Sequence, residues 1–210
     1  MPERAVPGPR RVAMLISGRG SNMVALADAM RSGAVPAVPA LVVSNVPDAP
    51  GLAAAAERGV PTEVLDHRVH RPRSVHERKL VEVLRQHGID LVCLAGYMRL
   101  LGPTMVDAFR GRMLNVHPSL LPAFPGLHAQ RQALEHGVKV SGCTVHFVDE
   151  ECDHGSIVAQ AAVPVLGTDD EESLSRRILE QEHRIYPEAV RLFCEGRLRI
   201  EDRTVRVESG

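Results

Sequence analysis

The sequence predicts an α/β fold: one open, twisted sheet in a three-layer arrangement, mostly parallel, with an antiparallel hairpin added to it. Three observations carry this. Short apolar runs at 12–17, 37–43, 90–95 and 113–116, with a further strand at 61–65, alternate with helical patterns, the order expected of parallel strands joined by crossover helices. The first run passes through a glycine-rich turn directly into a helical pattern. Two further runs, at 140–148 and 156–163, are separated by a loop too short for a crossover, so they pair as a hairpin and the sheet is mixed.

The elements follow in order. Residues 12–17 form a buried strand and 23–31 a helix. Residues 37–43 are the second strand, with an alanine-rich helix ending near Arg58, and 61–65 are the third. A loop dense in His and Arg, 66–76, reads as a solvated surface; Val75, Leu80, Val83 and Leu84 at helical spacing then place a helix that Gly88 ends. The strand 90–95 leads to a helix from Pro103 to Phe109, and 113–116 is a central strand stopped by Pro118. After a helix at 129–135, the run 140–148 alternates, with Cys143, Val145 and Phe147 against Thr144 and His146, as a half-exposed strand does. From Thr168 the box T-D-D-E opens a long helix with acids in its first turn, interrupted by Pro187 and ending at Gly196.

Composition bounds the function. A chain of 210 residues with 44% apolar content supports one sizeable core, assigned to 12–198, after a disordered leader at 1–11 and before a terminal ribbon and tail at 199–210. The net charge of −1 gives no broad signature of nucleic-acid or membrane-surface binding. Cys93, Cys143, Cys152 and Cys194 are scattered without a C-x-x-C pair, and the leader lacks the apolar centre of a signal peptide. These features predict a cytoplasmic protein with neither nucleic acid nor membrane among its partners; small-molecule partners and a monomer or homodimer are expected, though composition itself does not set them. No H-E-x-x-H spacing occurs among the His residues, which argues against a metal-dependent hydrolase, although His117, His128, His146 and Asp153 could be offered as ligands.

Several stretches carry chemistry. Asn115 and His117 lie two apart at a strand end, so both side chains face the same way at the carboxyl edge of the sheet, where open α/β sheets hold ligands. An amide and an imidazole together can stabilise an oxyanion and move a proton. Gly20, Ser21 and Asn22 follow the first strand as a phosphate cradle; the spacing lacks the third glycine of a dinucleotide fingerprint, and Ser21 and Asn22 would equally suit a helix cap with no ligand. Met98, Arg99, Leu100 and Leu101 follow another strand end as a wall for a flat heterocycle, or as plain core. Asp153 stands at the tip of the hairpin loop, and a carboxylate there could orient the imidazole. Gln181 and Glu182 interrupt the apolar stripe of the long helix formed by Leu174, Ile178, Ile185, Ala189 and Phe193, and a polar residue so placed needs a partner.

The ordered set I-S-G-R-G-S-N (16–22), L-A-G-Y-M-R-L-L (94–101), L-N-V-H-P-S-L-L-P (114–122), P-G-L-H (125–128), H-F-V-D-E-E-C-D-H-G (146–155) and Q-E-H-x-I-Y-P (181–187) resembles the phosphoribosylglycinamide formyltransferases, the folate-dependent glycinamide ribonucleotide transformylases of purine synthesis. The resemblance spans 12 to about 198. It implies a Rossmann-like formyltransferase fold and 10-formyltetrahydrofolate as cosubstrate, with no metal. It implies Asn115, His117 and Asp153 as the catalytic trio. Gly20, Ser21 and Asn22 would hold the phosphate of glycinamide ribonucleotide, and Leu179, Glu180, Gln181 and Glu182 its ribose or glycinamide part. Arg73, Met98, Arg99, Leu100, Leu101 and Asn115 would meet the folate, and the loop of Asp149, Glu150, Glu151, Cys152 and Asp153 would close over it. Cys152 and His154 depart from the Leu-Asp-Gly-Gly the resemblance implies around the acid. Methionyl-tRNA formyltransferase and formyltetrahydrofolate deformylase share the Asn-x-His core, but the first needs a further basic domain and the second an N-terminal regulatory domain, and 210 residues are expected to have room for neither. A non-catalytic phosphate-binding domain is the alternative of a different class.

Overall fold

The structure is a computed structural model that describes residues 8–209. Most of the expected leader, 1–7, lies outside the described residues. The part that is described corrects its boundary: β1 (Arg10–Ile16) already begins at Arg10, because the backbone ladder with the next strand continues past the apolar run while both arginine side chains reach toward water.

The remaining elements are α1 (Ser21–Arg31), β2 (Ala37–Ser44), α2 (Pro50–Glu57), β3 (Thr62–Val64), α3 (Arg73–Gln86), β4 (Leu91–Leu94), α4 (Pro103–Ala108) and β5 (Met113–His117). They are followed by α5 (Ala129–Glu135), β6 (Val140–Phe147), β7 (Ile157–Pro164), α6 (Glu171–Cys194), β8 (Leu198–Glu201) and β9 (Thr204–Val207). Among the described residues the strands form one sheet in the order β3-β2-β1-β4-β5-β6-β7-β9-β8. β3 through β5 are mutually parallel, whereas β6 runs antiparallel to both β5 and β7. The terminal ribbon is part of this sheet, since β9 pairs with β7 at Ile157 and Thr204.

The parallel strands are apolar throughout because both of their faces are covered. On one face Val12, Met14 and Ile16 pack with Met23 and Leu26 of α1 and with Ile178, Ile185 and Tyr186 of α6. On the other, Ala13 and Leu15 pack with Leu80 and Leu84 of α3 and Met105 of α4. The chain turns from β1 toward β2 and β3, then returns to place β4 against β1's other edge. The loops after β1 and β4 therefore leave the sheet side by side in opposite directions, which opens a crevice between them.

Two local expectations are corrected. β6 is not half-exposed: every residue from Ser141 to Phe147 is buried, because α6 covers one face and the loop following β5 covers the other. The cap of α6 is Asp170, not Thr168; its carboxylate accepts from the Ser173 amide at 2.8 Å, and the Ser173 hydroxyl accepts from the Asp170 amide at 3.0 Å. Asp169 is committed elsewhere, paired with Arg177 at 2.7 Å.

Candidate active site

The carboxyl ends of β1, β4 and β5 surround the crevice. Asn115 and His117 project from β5 toward the hairpin loop, and the loop returns Asp153 to meet both. Asp153 Oδ2 lies 3.3 Å from His117 Nδ1, and Asn115 Nδ2 donates to Asp153 Oδ1 at 3.4 Å. The Gly126 amide also donates to Asp153 Oδ2, at 2.8 Å. The Asp153 side chain is only 11% exposed, so the carboxylate is satisfied by these donors and little by water. Its backbone is left-handed, at φ 52°, which lets the loop turn the side chain inward.

The other nitrogen of His117 is held as well: Nε2 donates to the Phe124 carbonyl at 2.8 Å. With an acceptor at each end of the ring, the doubly protonated imidazole can donate at both. The Phe124 carbonyl is placed by a loop built on β6. Thr144 Oγ1 donates to the Ser119 carbonyl at 2.7 Å and accepts from the Leu121 amide at 3.0 Å, while Gln160 Nε2 donates to Thr144 Oγ1 and to the Leu121 carbonyl. The Ser119 hydroxyl, itself fully buried, donates to the Ala123 carbonyl.

His146 fixes the orientation of Asn115. Its Nδ1–H donates to its neighbour's carbonyl, Phe147 O, at 2.8 Å, so Nε2 carries a lone pair and accepts from Asn115 Nδ2 at 3.1 Å. Burial pushes the pKa of His146 down, which keeps that lone pair available. The Asn115 amide therefore presents its N–H groups, not its carbonyl, toward Asp153.

On one side of the trio lies the turn after β1. Gly20 caps α1 in a left-handed conformation, φ 74°, and Ser21 and Asn22 are the first residues of the helix, so neither caps it through its side chain. The turn sits close against α2: the Gly51 amide donates to the Gly18 carbonyl at 3.0 Å, and a Cβ on Gly51 would come within 2.9 Å of that oxygen. Asn22 Nδ2 donates to Glu182 Oε2 at 2.6 Å, which ties the phosphate-type turn to the middle of α6. Glu182 is 6% exposed, and burial pushes its pKa up, with the Asn22 bond opposing. The partner that a polar residue on an apolar stripe requires is thus Asn22.

On the other side, Met98 and Leu100 are 65% and 61% exposed while Leu101 is buried, so the segment is a wall with only its far end in the core. It is pinned at both ends. The Met98 amide donates to the Ser17 hydroxyl at 2.8 Å, and the Gly102 amide donates to the buried carboxylate of Glu77 at 2.7 Å. Beyond the wall an open recess of about 590 Å³ is lined by His67, His70, Arg71, Pro72, Arg73 and Arg99. The loop expected to be a solvated surface is thus the rim of a basic recess, and its last histidine is core: His76 is 1% exposed and shares a 2.8 Å hydrogen bond with the Tyr97 hydroxyl.

Asp149, Glu150, Glu151 and Cys152 form the remainder of the hairpin loop around Asp153. Glu150, Glu151 and Cys152 are exposed. One expected site residue is not brought in by its side chain: Glu180 is exposed, because a helix turns it about 200° away from Glu182. Leu179 and Gln181 are half-buried beside Glu182. Among the described residues no group of three His, Cys, Asp or Glu side chains could hold a metal ion, and no helix is long and apolar enough to cross a membrane.

A phosphate-type turn, an amide–imidazole–carboxylate trio and a ring-sized wall on an open α/β sheet describe an acyl-transferring enzyme, and residues 10–190 match the formyl transferase family. The chain belongs to that family. It is 42% identical over 191 residues to the phosphoribosylglycinamide formyltransferase of Escherichia coli, covering 91% of this chain and 90% of that protein. It is 50% identical over 189 residues to the trifunctional purine biosynthetic protein adenosine-3 of Drosophila melanogaster, covering 89% of this chain but only 14% of that much longer protein. The crystal structure of glycinamide ribonucleotide transformylase 1 from Symbiobacterium toebii superposes with a TM-score of 0.95 at 54% identity, covering 100% of this chain and 99% of the other.

Sequence reasoning missed the supports. His76, Glu77, Ser119, Thr144, His146 and Gln160 contribute through contacts between elements distant in sequence. Only Thr144 and His146 left a trace, as polar residues on a strand whose outer face turned out to be covered.

Proposed function

We propose that this chain transfers a formyl group from 10-formyltetrahydrofolate to the amine of glycinamide ribonucleotide, giving formylglycinamide ribonucleotide in purine synthesis. The observation that carries the reading is the position of the trio. Asp153 stands within hydrogen-bonding or ion-pairing reach of both His117 and Asn115, between a phosphate-type turn and an exposed apolar wall.

The backbone amides after Gly20 and the start of α1 favour an anion, so the ribonucleotide's phosphate belongs there, with Glu182 accepting from its hydroxyl or amino groups. Met98 and Leu100 offer contact to a flat pterin, and Arg73 and Arg99 on the recess offer guanidinium groups to the carboxylates of a folate tail. The folate supplies the one-carbon unit; its C–N bond breaks as the new one to the amine forms, and the leaving nitrogen takes up, in net terms, the proton that the amine gives up. Attack by the amine on the formyl carbon moves charge to the formyl oxygen. Asn115 Nδ2–H and the Nδ1–H of His117, which now faces Asp153 at 3.3 Å, are the donors that stabilise it, while Nε2 stays on the Phe124 carbonyl and Asp153 balances the cationic ring. Of the two bonds made by Asn115 Nδ2, the one to Asp153, at 3.4 Å, is the longer, and it is the one a formyl oxygen would replace.

The test is an assay with glycinamide ribonucleotide and 10-formyltetrahydrofolate. Formyl transfer is expected in the wild type, with kcat lowered about 10²–10⁴-fold in His117→Ala and in Asp153→Asn. Full activity in either variant refutes the assignment. Release of formate without the ribonucleotide would instead identify a deformylase, and phosphate binding without turnover a binding domain.

A further inference from the structure

The hairpin loop that carries Asp153 is fastened at its neck by the terminal ribbon. His154, the residue after the catalytic acid, donates through Nδ1 to Asp149 Oδ2 at 3.0 Å, so the two ends of the loop are bridged. That proton placement leaves Nε2 as an acceptor, and Arg203 Nη1 meets it at 2.5 Å. The second guanidinium nitrogen, Nη2, donates to the His154 carbonyl at 3.0 Å. Arg203 sits in the turn between β8 and β9, and the same turn is fixed to the base of β7: Ser156 Oγ donates to the Asp202 carbonyl at 3.3 Å, and Ile157 pairs with Thr204. On the loop's opposite side, Arg110 on the segment after α4 reaches Glu150 at 3.4 Å. The loop is therefore anchored on both flanks, and the shorter anchor is the one adjacent to Asp153.

We propose that Arg203, acting through His154, is a positioning residue for formyl transfer, holding the neck of the 149–155 loop so that Asp153 stays against His117. The proposal rests on the role given to Asp153 above. The planar guanidinium suits the task because its two arms address the imidazole and the carbonyl together, fixing both the side chain and the backbone of the residue next to the acid. An ammonium in its place reaches one of these acceptors, so Arg203→Lys is expected to behave like a loss of the contact.

The test is a double-mutant cycle of Arg203→Gln and His154→Ala, read by steady-state kinetics and by hydrogen exchange of the full chain. Arg203→Gln is expected to lower kcat/KM for the formyl-folate roughly three- to tenfold, the net scale of one ordinary hydrogen bond, while KM for glycinamide ribonucleotide stays unchanged. The double variant is expected to be no worse than His154→Ala alone. Amides in 149–155 should exchange faster in Arg203→Gln while those in β1, β4 and β5 do not. Wild-type kinetics in Arg203→Gln, additive effects in the cycle, or unchanged exchange in the loop would each overturn the proposal. Absence of formyl transfer in the wild type would overturn the functional reading instead, and the exchange measurement would still decide whether Arg203 holds the loop.

Discussion

Glu182 is a side chain that costs stability where the proposed function needs an acceptor. Its carboxylate is buried on a face otherwise made of Leu174, Ile178 and Ile185, and burial raises its pKa. A carboxyl group whose pKa is higher in the folded state favours folding while it is protonated. That contribution is complete below the ordinary glutamate range and is lost as pH rises through the raised value. Glu182→Gln keeps an oxygen for Asn22 and removes the charge, so its melting temperature should exceed that of the wild type at neutral pH, with the gap closing on acidification. KM for glycinamide ribonucleotide should rise about tenfold or more, as expected when an ionised acceptor is replaced by a neutral one. Thermal melts across the acid-to-neutral range check the first point; a gap that widens toward acid would contradict it. This position was legible in the sequence because a charge interrupts an apolar period, but its partner was not, since Asn22 and Glu182 are 160 residues apart.

At the level of elements, β6 does more than complete the hairpin. Its inner face fills the core with Cys143, Val145 and Phe147, while its other face supplies Thr144 and His146 as fixed hydrogen-bonding posts. The alternation was visible in the sequence, but the burial of both faces was not, because the second cover is a loop with no periodic pattern. Thr144→Val preserves the shape and removes a hydroxyl that serves Ser119, Leu121 and Gln160. It should lower stability by about 1–3 kcal/mol in urea unfolding, the range for leaving buried polar groups unpaired. Thr144→Ser, which keeps the hydroxyl, should recover most of that loss, and equal losses in the two variants would show that packing, not hydrogen bonding, anchors the loop after β5. The parallel strands β1, β4 and β5 were read correctly for the converse reason: burial on both faces leaves continuous apolar runs that need no periodic analysis.

For the molecule as a whole, stability should respond to acid through His76. Burial, reinforced by the positive charge of Arg99, lowers its pKa from 6.5 to about 4. The unfolded chain takes up a proton that the folded chain refuses across that interval, so the contribution is present in full above the ordinary histidine value and is lost as pH falls from 6.5 toward 4. His76→Phe gives up the bond to Tyr97 and should be less stable at neutral pH, yet its urea midpoint should decline less than the wild type's over the same interval; parallel declines would remove His76 as the cause. Nothing in the sequence distinguishes this histidine from His67 and His70 nearby, because only tertiary packing buries one fully and leaves the others half-buried. The sheet's order has a final consequence. It finishes in β3, with three residues, and β8, with four, so the outermost ladders are short and carry Glu63 at one margin and Arg199 and Glu201 at the other. A foreign strand arriving at either border finds few rungs and charged neighbours, which protects a wide open sheet from growing sideways into aggregates.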